Sequence, residues 1–370
     1  LGIDAPGKNP IKWLKVILRS FTFGNLQEEF PDIWVLELGV DQPGDMSFFT
    51  QDFLTFDAVI FTFYGETPVH MENFESVKDL IQEDINALTA LKENGFVIAN
   101  ADDPAQTSII KKHKENVMTY GLNDADVTLV DIQSEIDVVE NKEVWNNYGT
   151  AIKPILHQKV SYRGSLVPFR VEYMFGTAQA KCLLPVISFF IHEGVNLIEI
   201  SQKINTFQPV NGRMRFFEGI KDTLIIDDTY NSSPLAAQAA LTVLDEIAVG
   251  GRKVAVLGDM LELGRFSAQA HESLGERAAA VADVIVTIGI RSRRIATAAL
   301  EQGFSPKQIF QYETAEAAAD EIRRMLQSGD VILVKASQSI RAEKIVKRLM
   351  QNPEKASELL VRQSTAWLQR

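Results

Sequence analysis

The sequence predicts an α/β protein in two parts. Residues 1–211 read as a mostly parallel sheet with a small antiparallel appendage, and residues 212–370 as a Rossmann-like, doubly wound domain. Three observations carry this. Short apolar runs alternate with segments of helical periodicity, the pattern of strands joined by crossover helices. Several of these runs end in acidic or small polar residues that open the next helix, which places polar groups at the carboxyl edge of a parallel sheet, where ligands bind. Finally, 370 residues exceed what one core comfortably holds.

Composition narrows the class. With 46% hydrophobic and 23% charged residues the chain reads as a soluble globular protein, and no run is long enough to span a bilayer. A formal net charge of −12 argues against a general nucleic-acid binder, whose partner demands a basic face. Cys182 is the single cysteine, which excludes an internal disulfide and a cysteine-based zinc site and suits a reducing cytoplasm. The chain opens on Leu1 with no signal peptide, and its natural start is expected upstream.

In chain order, residues 10–21 predict an amphipathic helix with Asn9 as cap and Pro10 at its first position, its apolar stripe packed on the sheet. Strands follow at 33–38, 58–64 and 96–99, with a helix over 76–92. From 127 to 175 short alternating stretches predict the antiparallel appendage, and helices over 179–193 and 197–205 close the first part. Pro209-Val210-Asn211-Gly212 makes the hinge. Beyond it, strands are expected near 223–227, 253–257, 283–288, 308–311 and 331–335, each followed by a helix, with a terminal helix after Pro353.

The most informative segment is Asp227-Asp228-Thr229-Tyr230-Asn231-Ser232-Ser233-Pro234, which follows the strand-like Thr223-Leu224-Ile225-Ile226. It sets carboxylates and the free N–H groups of a helix start at one sheet edge, as a nucleotide requires; taken singly, each residue also fits ordinary turn and cap chemistry. Arg213, in Gly212-Arg213-Met214-Arg215, adds a guanidinium suited to phosphate oxygens. Gly258-Asp259-Met260 and Val334-Lys335-Ala336-Ser337 each end a strand in polar residues, with Lys335 placed to balance a phosphate or a carboxylate. In the first part, Glu37 and His70 follow two strands and make a candidate pair for a hard cation, with a structural role equally open. Asn100, in Asn100-Ala101-Asp102-Asp103-Pro104, follows a third strand, where side-chain capping is the competing explanation.

Gly2-Ile3-Asp4-Ala5-Pro6-Gly7-Lys8 matches part of a phosphate loop but does not make one. The loop needs Ser or Thr after the lysine and free N–H groups at the helix start; here Asn9 follows, and Pro10 has no N–H.

Together the run 227–234, Gly212-Arg213-Met214, Leu257-Gly258-Asp259-Met260-Leu261-Glu262-Leu263-Gly264, Val334-Lys335-Ala336-Ser337 and the pair Glu37 and His70 resemble the Mur ligase family. The resemblance runs over nearly the whole chain and is strongest over 212–344, where it points to the branch that uses D-alanyl-D-alanine. It implies a central ATP-binding domain lacking its start, with the phosphate loop upstream of Leu1, followed by the C-terminal ligase domain. The implied reaction is ATP- and Mg²⁺-dependent amide formation in peptidoglycan precursor synthesis, in the cytoplasm. A carboxylate of a UDP-N-acetylmuramoyl-peptide takes the γ-phosphate as an acyl phosphate, and the amine of D-alanyl-D-alanine displaces it.

Carried over singly, Glu37 and His70 become Mg²⁺ ligands, Arg213 a phosphate contact, Asp228 a ribose contact, and Asn100, Tyr230 and Asn231 parts of the nucleotide pocket. Asp259, Lys335 and Ser337 face the dipeptide and acyl phosphate, and Lys335, Arg213 and His70 form the implied catalytic set. Asp84 stands where the family has a carbamylated lysine that holds a second Mg²⁺. Ala178-Gln179 replaces a His-Asn pair, and Ala336 and Gln338 replace a glycine and an arginine. Two alternatives stay open: a non-catalytic binding or scaffold member of the fold, and a folylpolyglutamate-synthase-like ligase, which lacks the 227–234 run.

Overall fold

A computed structural model describes residues 14–15, 32–51, 54–65, 70–138, 152–207, 209–248 and 250–369. The rejected phosphate loop lies outside the described residues. So does the helix expected over 10–21, except for Leu14 and Lys15, which are helical and exposed. Leu14 therefore does not show the packed face the sequence predicts. Residues 1–39 form one unit and residues 40–370 a second.

Within the first unit, the strand expected over 33–38 is absent. The backbone there makes no ladder, and Trp34 and Val35 are 71% and 82% exposed. An apolar run becomes a strand only when a neighbour takes its N–H and C=O groups, and among the described residues none pairs with it.

The second unit carries two six-stranded sheets. The first runs in chain order: β1 (Phe56–Ile60), β2 (Leu91–Asn100), β3 (Val117–Gly121), β4 (Val127–Val138), β5 (Ile152–Tyr162) and β6 (Ser165–Glu172). Strands β1 to β4 are parallel and β4 to β6 antiparallel. The expected appendage is thus an extension of the same sheet, whose pleat continues through Val127 and Leu129, both buried. The helix expected over 76–92 is Val77–Ile85, capped by the Ser76 side chain, and then tightens into a 3₁₀ turn, Asn86–Ala90. Helix Gly176–His192 packs on this sheet through Ala180, Leu183, Leu184 and Ile187, all buried at spacings of three and four.

The second sheet has the order β11-β10-β9-β12-β8-β7. Its members are β7 (Arg215–Gly219), β8 (Thr223–Asp228), β9 (Lys253–Gly258), β10 (Val284–Ile288), β11 (Ile309–Tyr312) and β12 (Val331–Lys335). All neighbours are parallel except the edge pair β7 and β8. Continuous apolar strands such as Val331-Ile332-Leu333-Val334 are buried on both faces, and two separate hydrophobic clusters cover them. Every parallel strand expected here is present; β7 is an addition. The tail forms short pieces rather than one terminal helix: Pro353–Lys355, Ala356–Leu359 and Thr365–Leu368. Pro353 opens the first of these, and Leu360 leaves helical geometry with ψ of 157°, so no longer helix propagates.

Candidate functional site at the carboxyl edge of the second sheet

Strand register builds the centre of the site. β8 and β12 are adjacent and parallel, and their last residues, Asp228 and Lys335, are direct partners. Period-two alternation puts both side chains on one face. The Lys335 ammonium donates to Asp228 Oδ2 at 2.5 Å and to the carbonyl of Asn231 at 3.1 Å. Lys335 is 1% exposed, so this ion pair is desolvated, and two of the three ammonium donors have these partners. Asp228 Oδ1 accepts from Met214 N–H at 3.2 Å, which ties the strand end to the turn carrying Arg213.

That turn and the 229–231 loop are joined twice. Tyr230 N–H donates to the Gly212 carbonyl at 2.9 Å, and the Arg213 guanidinium lies 4.1 Å over the Tyr230 ring. Gly212 is required here: its φ is +69°, and a Cβ would sit 3.0 Å from Tyr230 N. Tyr230 is 42% exposed and presents a ring face at the edge, while the Asn231 side chain accepts from Ser232 N–H at 2.9 Å. The cap chemistry is also present, since Ser233 caps helix Pro234–Glu246 with Pro234 at its first position.

Asp227 is fully buried. Its Oδ1 accepts from the Thr229 hydroxyl at 2.6 Å and from Thr229 N–H at 3.2 Å, but Oδ2 has no partner. Burial pushes its carboxyl up to about 6, against the pull of the Thr229 hydrogen bonds.

The next loops converge on the same edge. Ser337 N–H donates to the Asp259 carbonyl at 3.0 Å, and the Ser337 hydroxyl accepts from Leu261 N–H at 3.0 Å and donates to the Ser232 carbonyl at 3.4 Å. Asp259 Oδ1 accepts from Ser292 N–H at 2.7 Å, so this carboxylate braces the loop after β10. Gly289 makes room for it, because a Cβ there would lie 2.4 Å from Asp259 Oδ1. Gly258 is a close approach as well: its Cβ would come 2.5 Å from that of Ala336. The structure therefore brings together Asp228, Tyr230, Asn231, Arg213, Asp259, Lys335 and Ser337 at one sheet edge.

The remaining candidates lie elsewhere. Asn100 ends β2, buried; its N–H donates to Gln106 Oε1 at 2.7 Å and its Oδ1 accepts from Asp102 N–H at 3.0 Å. The neighbouring Asp103 side chain caps the following turn. His70 Nδ1 is 3.3 Å from Asp41 and 3.5 Å from Glu262, the latter on the loop after β9. Asp84 is partly buried; desolvation pushes its carboxyl up to about 6, opposed by a hydrogen bond from Tyr64 and by nearby His70. Glu37 is exposed and belongs to the other unit. Among the described residues no group of three or more His, Cys, Asp or Glu side chains is placed to hold a metal ion. Gln179, standing in the family's His-Asn position, accepts from Phe175 N–H at 2.7 Å at the start of its helix.

Four residues that the sequence reading passes over support the site. His271 is fully buried; its Nδ1 donates to the Ser267 carbonyl at 2.6 Å, leaving Nε2 to accept from Met260 N–H at 3.0 Å. Burial lowers its pKa, which keeps the imidazole neutral for that role. Glu343 is fully buried between Arg341 and Arg362, and Arg362 also reaches the 229–230 backbone. The contacts of Arg362 with the 229–230 backbone span more than 130 residues, which no short motif records.

Comparison with known proteins agrees with this architecture. Residues 13–152 match the Mur ligase middle domain, and residues 212–338 match the Mur ligase glutamate ligase domain. The UDP-N-acetylmuramoyl-tripeptide–D-alanyl-D-alanine ligase of Bacillus subtilis is 26% identical over 329 residues, covering 88% of this chain and 66% of its own length. The enzyme of the same name from Escherichia coli is 26% identical, covering 94% of this chain and 75% of its own length. The chain thus spans about two thirds of such relatives. Among solved structures, MurF ligase from Thermotoga maritima in complex with ADP superposes with a TM-score of 0.69 at 23% identity, covering 88% of this chain and 69% of that one. MurF from Acinetobacter baumannii gives 0.67 at 23% identity, over 84% and 63%. With two successive domains of one family found in its sequence, and their fold in its structure, the chain belongs to the Mur ligase family.

Proposed function

We propose that this chain is the nucleotide-binding and amine-binding part of an ATP-dependent ligase of peptidoglycan precursor synthesis, joining D-alanyl-D-alanine to a UDP-N-acetylmuramoyl-tripeptide in the cytoplasm. The observation that carries it is the edge built from Asp228, Lys335, Asn231, Tyr230 and Arg213 in a chain whose relatives bear that enzyme's name. The division near residue 212 follows the change from the first sheet to the second.

In this reading Lys335 holds Asp228 fixed at the strand end, and Asp228 offers its carboxylate to a ribose hydroxyl. Arg213 is the cation placed for phosphate oxygens, held over Tyr230, and Asn231 stands beside it; Asn100, at the end of β2 in the first sheet, is a nucleotide contact by the resemblance alone. Asp259 and Ser337 shape the face that meets the dipeptide. The substrate carboxylate takes the γ-phosphate, and the dipeptide amine then displaces phosphate through a tetrahedral intermediate, whose charge preorganised cations stabilise. Mg²⁺ is proposed to enter with the ATP phosphates, with His70 and Asp84 as candidate donors; Glu37, in the other unit, is a candidate by the resemblance alone. These side chains do not form a cage of their own among the described residues, so no step is assigned to the ion.

The test is calorimetric titration of the chain with ADP and with Mg²⁺ and ATP, beside phosphate release in the presence of both substrates. Weak nucleotide binding that Asp228→Asn abolishes, with phosphate release dependent on D-alanyl-D-alanine, supports the reading. No nucleotide binding overturns it, and binding without phosphate release favours the scaffold alternative.

A further inference from the structure

We propose that Arg362, in the C-terminal tail, is a positioning residue of the nucleotide edge: it clamps the 229–230 loop in the geometry that presents Tyr230 and Asn231. Its side chain is 5% exposed. Nη1 donates to the Tyr230 carbonyl at 3.0 Å, and Nη2 donates to the Thr229 carbonyl. On its other side, Nε and Nη2 donate to Glu343 Oε2 at 3.1 and 2.9 Å. The second oxygen of Glu343 accepts from Arg341 Nε at 2.6 Å.

The charges explain why this is a clamp rather than a neutral plug. One fully buried carboxylate faces two guanidinium groups, so the cluster keeps a surplus positive charge, which the carbonyl dipoles of Thr229 and Tyr230 receive. Its geometry is imposed rather than relaxed: Arg341 and Arg362 both hold left-handed backbone, with φ of 61° and 58°, a cost that surrounding contacts must offset.

The tail touches the facing turn as well. Asn211 Nδ2 donates to the Glu358 carbonyl at 2.8 Å, and a Cβ on Gly212 would lie 2.9 Å from Val361. Residues 358–362 are thus laid across both segments that carry the Arg213 and Tyr230 pair, and Arg362 is the one tail side chain bonded to the 229–230 backbone among the described residues. The proposal rests on the reading of this edge as a nucleotide site, and its test separates the two.

The experiment measures hydrogen exchange at the Thr229, Tyr230 and Ser232 amides, together with ADP affinity, in the wild-type chain, Arg362→Met and Arg362→Lys. Urea midpoints identify any variant that has merely unfolded. The expected result for Arg362→Met is roughly tenfold faster exchange confined to the loop and roughly tenfold weaker ADP binding. Arg362→Lys keeps the charge but not the fork and falls between. Adding guanidinium ion at low, non-denaturing concentration to Arg362→Ala restores ADP affinity, which a defect in general stability would not allow. Unchanged loop exchange overturns the clamp. Faster exchange with unchanged ADP affinity overturns its role at the site. If the wild-type chain binds no ADP, the nucleotide reading fails, and the positioning role fails with it, whatever the loop exchange shows. Should Arg362→Met not fold, Arg362→Lys and the guanidinium rescue decide the question by the same outcomes.

Discussion

The two sheets of the second unit present candidate residues in opposite ways. At the edge of the second sheet, Asp228 and Lys335 are neighbours by strand register, and their backbone partners fix them to within a single turn. In the first sheet's half, His70 precedes a 3₁₀ turn, Asp84 lies in helix Val77–Ile85 and Asn100 ends β2, so no shared register joins them, and each has its own neighbour: Asp41, Tyr64 and Gln106 respectively. The lesson is about cost. A charge delivered by adjacent strands of a buried sheet must be paired at once, whereas exposed charges such as Asp41 and Glu262 beside His70 are solvated by water.

The largest effect that tests this contrast is Lys335→Met. It strands Asp228 beside an apolar neighbour, and the expected loss is about 3–5 kcal/mol in urea unfolding, as for other buried pairs broken from one side. A loss under about 1 kcal/mol would mean that the pair is solvated, as surface pairs are, and would erase the difference between the two halves. Gly289→Ala comes next. Its φ of +110° disfavours any side chain, and the new methyl collides with Asp259. We expect about 1–3 kcal/mol from the backbone, with faster amide exchange at Ser292 as the local sign that Asp259 has moved.

Asp227→Asn sharpens the comparison through pH. Burial raises the folded-state pKa from 3.8 to about 6, so the protonated carboxyl is the form the fold prefers. The contribution to stability is present in full below the unfolded value and is lost as pH rises through about 6. An uncharged asparagine therefore raises the unfolding free energy in urea near pH 8, by on the order of 1 kcal/mol, and has much less effect near pH 3, below the unfolded value. The smallest effect belongs to His70→Ala. Its partners Asp41 and Glu262 are 73% and 48% exposed, so thermal stability should change by less than about 0.5 kcal/mol. A large loss would show that the first sheet's half is as tightly coupled as the second.

The same contrast decides what could be read from the sequence. The five parallel strands of the second sheet are legible because each is a mostly apolar run followed by polar residues, and the ends of β8, β9 and β12 name most of the edge. β7 was not, since Arg215-Phe216-Phe217-Glu218-Gly219 is short and carries charges at positions an edge strand tolerates. The run 33–38 has strand composition without a strand, because pairing is a property of the neighbour and not of the run. Arg362 was invisible for a related reason: it lies 133 residues from the Thr229 carbonyl it holds, and no local spacing records that contact.

The place of β12 in its sheet has a consequence for how the protein is made. It is the last strand of the sheet in the chain, yet it sits between β9 and β8, near the middle. During synthesis β8 emerges more than a hundred residues earlier and has only β7 for company, with one long edge open. The sheet's centre, and the Asp228–Lys335 pair with it, closes only once the ribosome has delivered residue 335, and the clamp only after residue 362. Until then Asp227 and Asp228 stand at an unfinished edge, and their carboxylates are a useful guard, since charge at an open strand discourages pairing with a stranger.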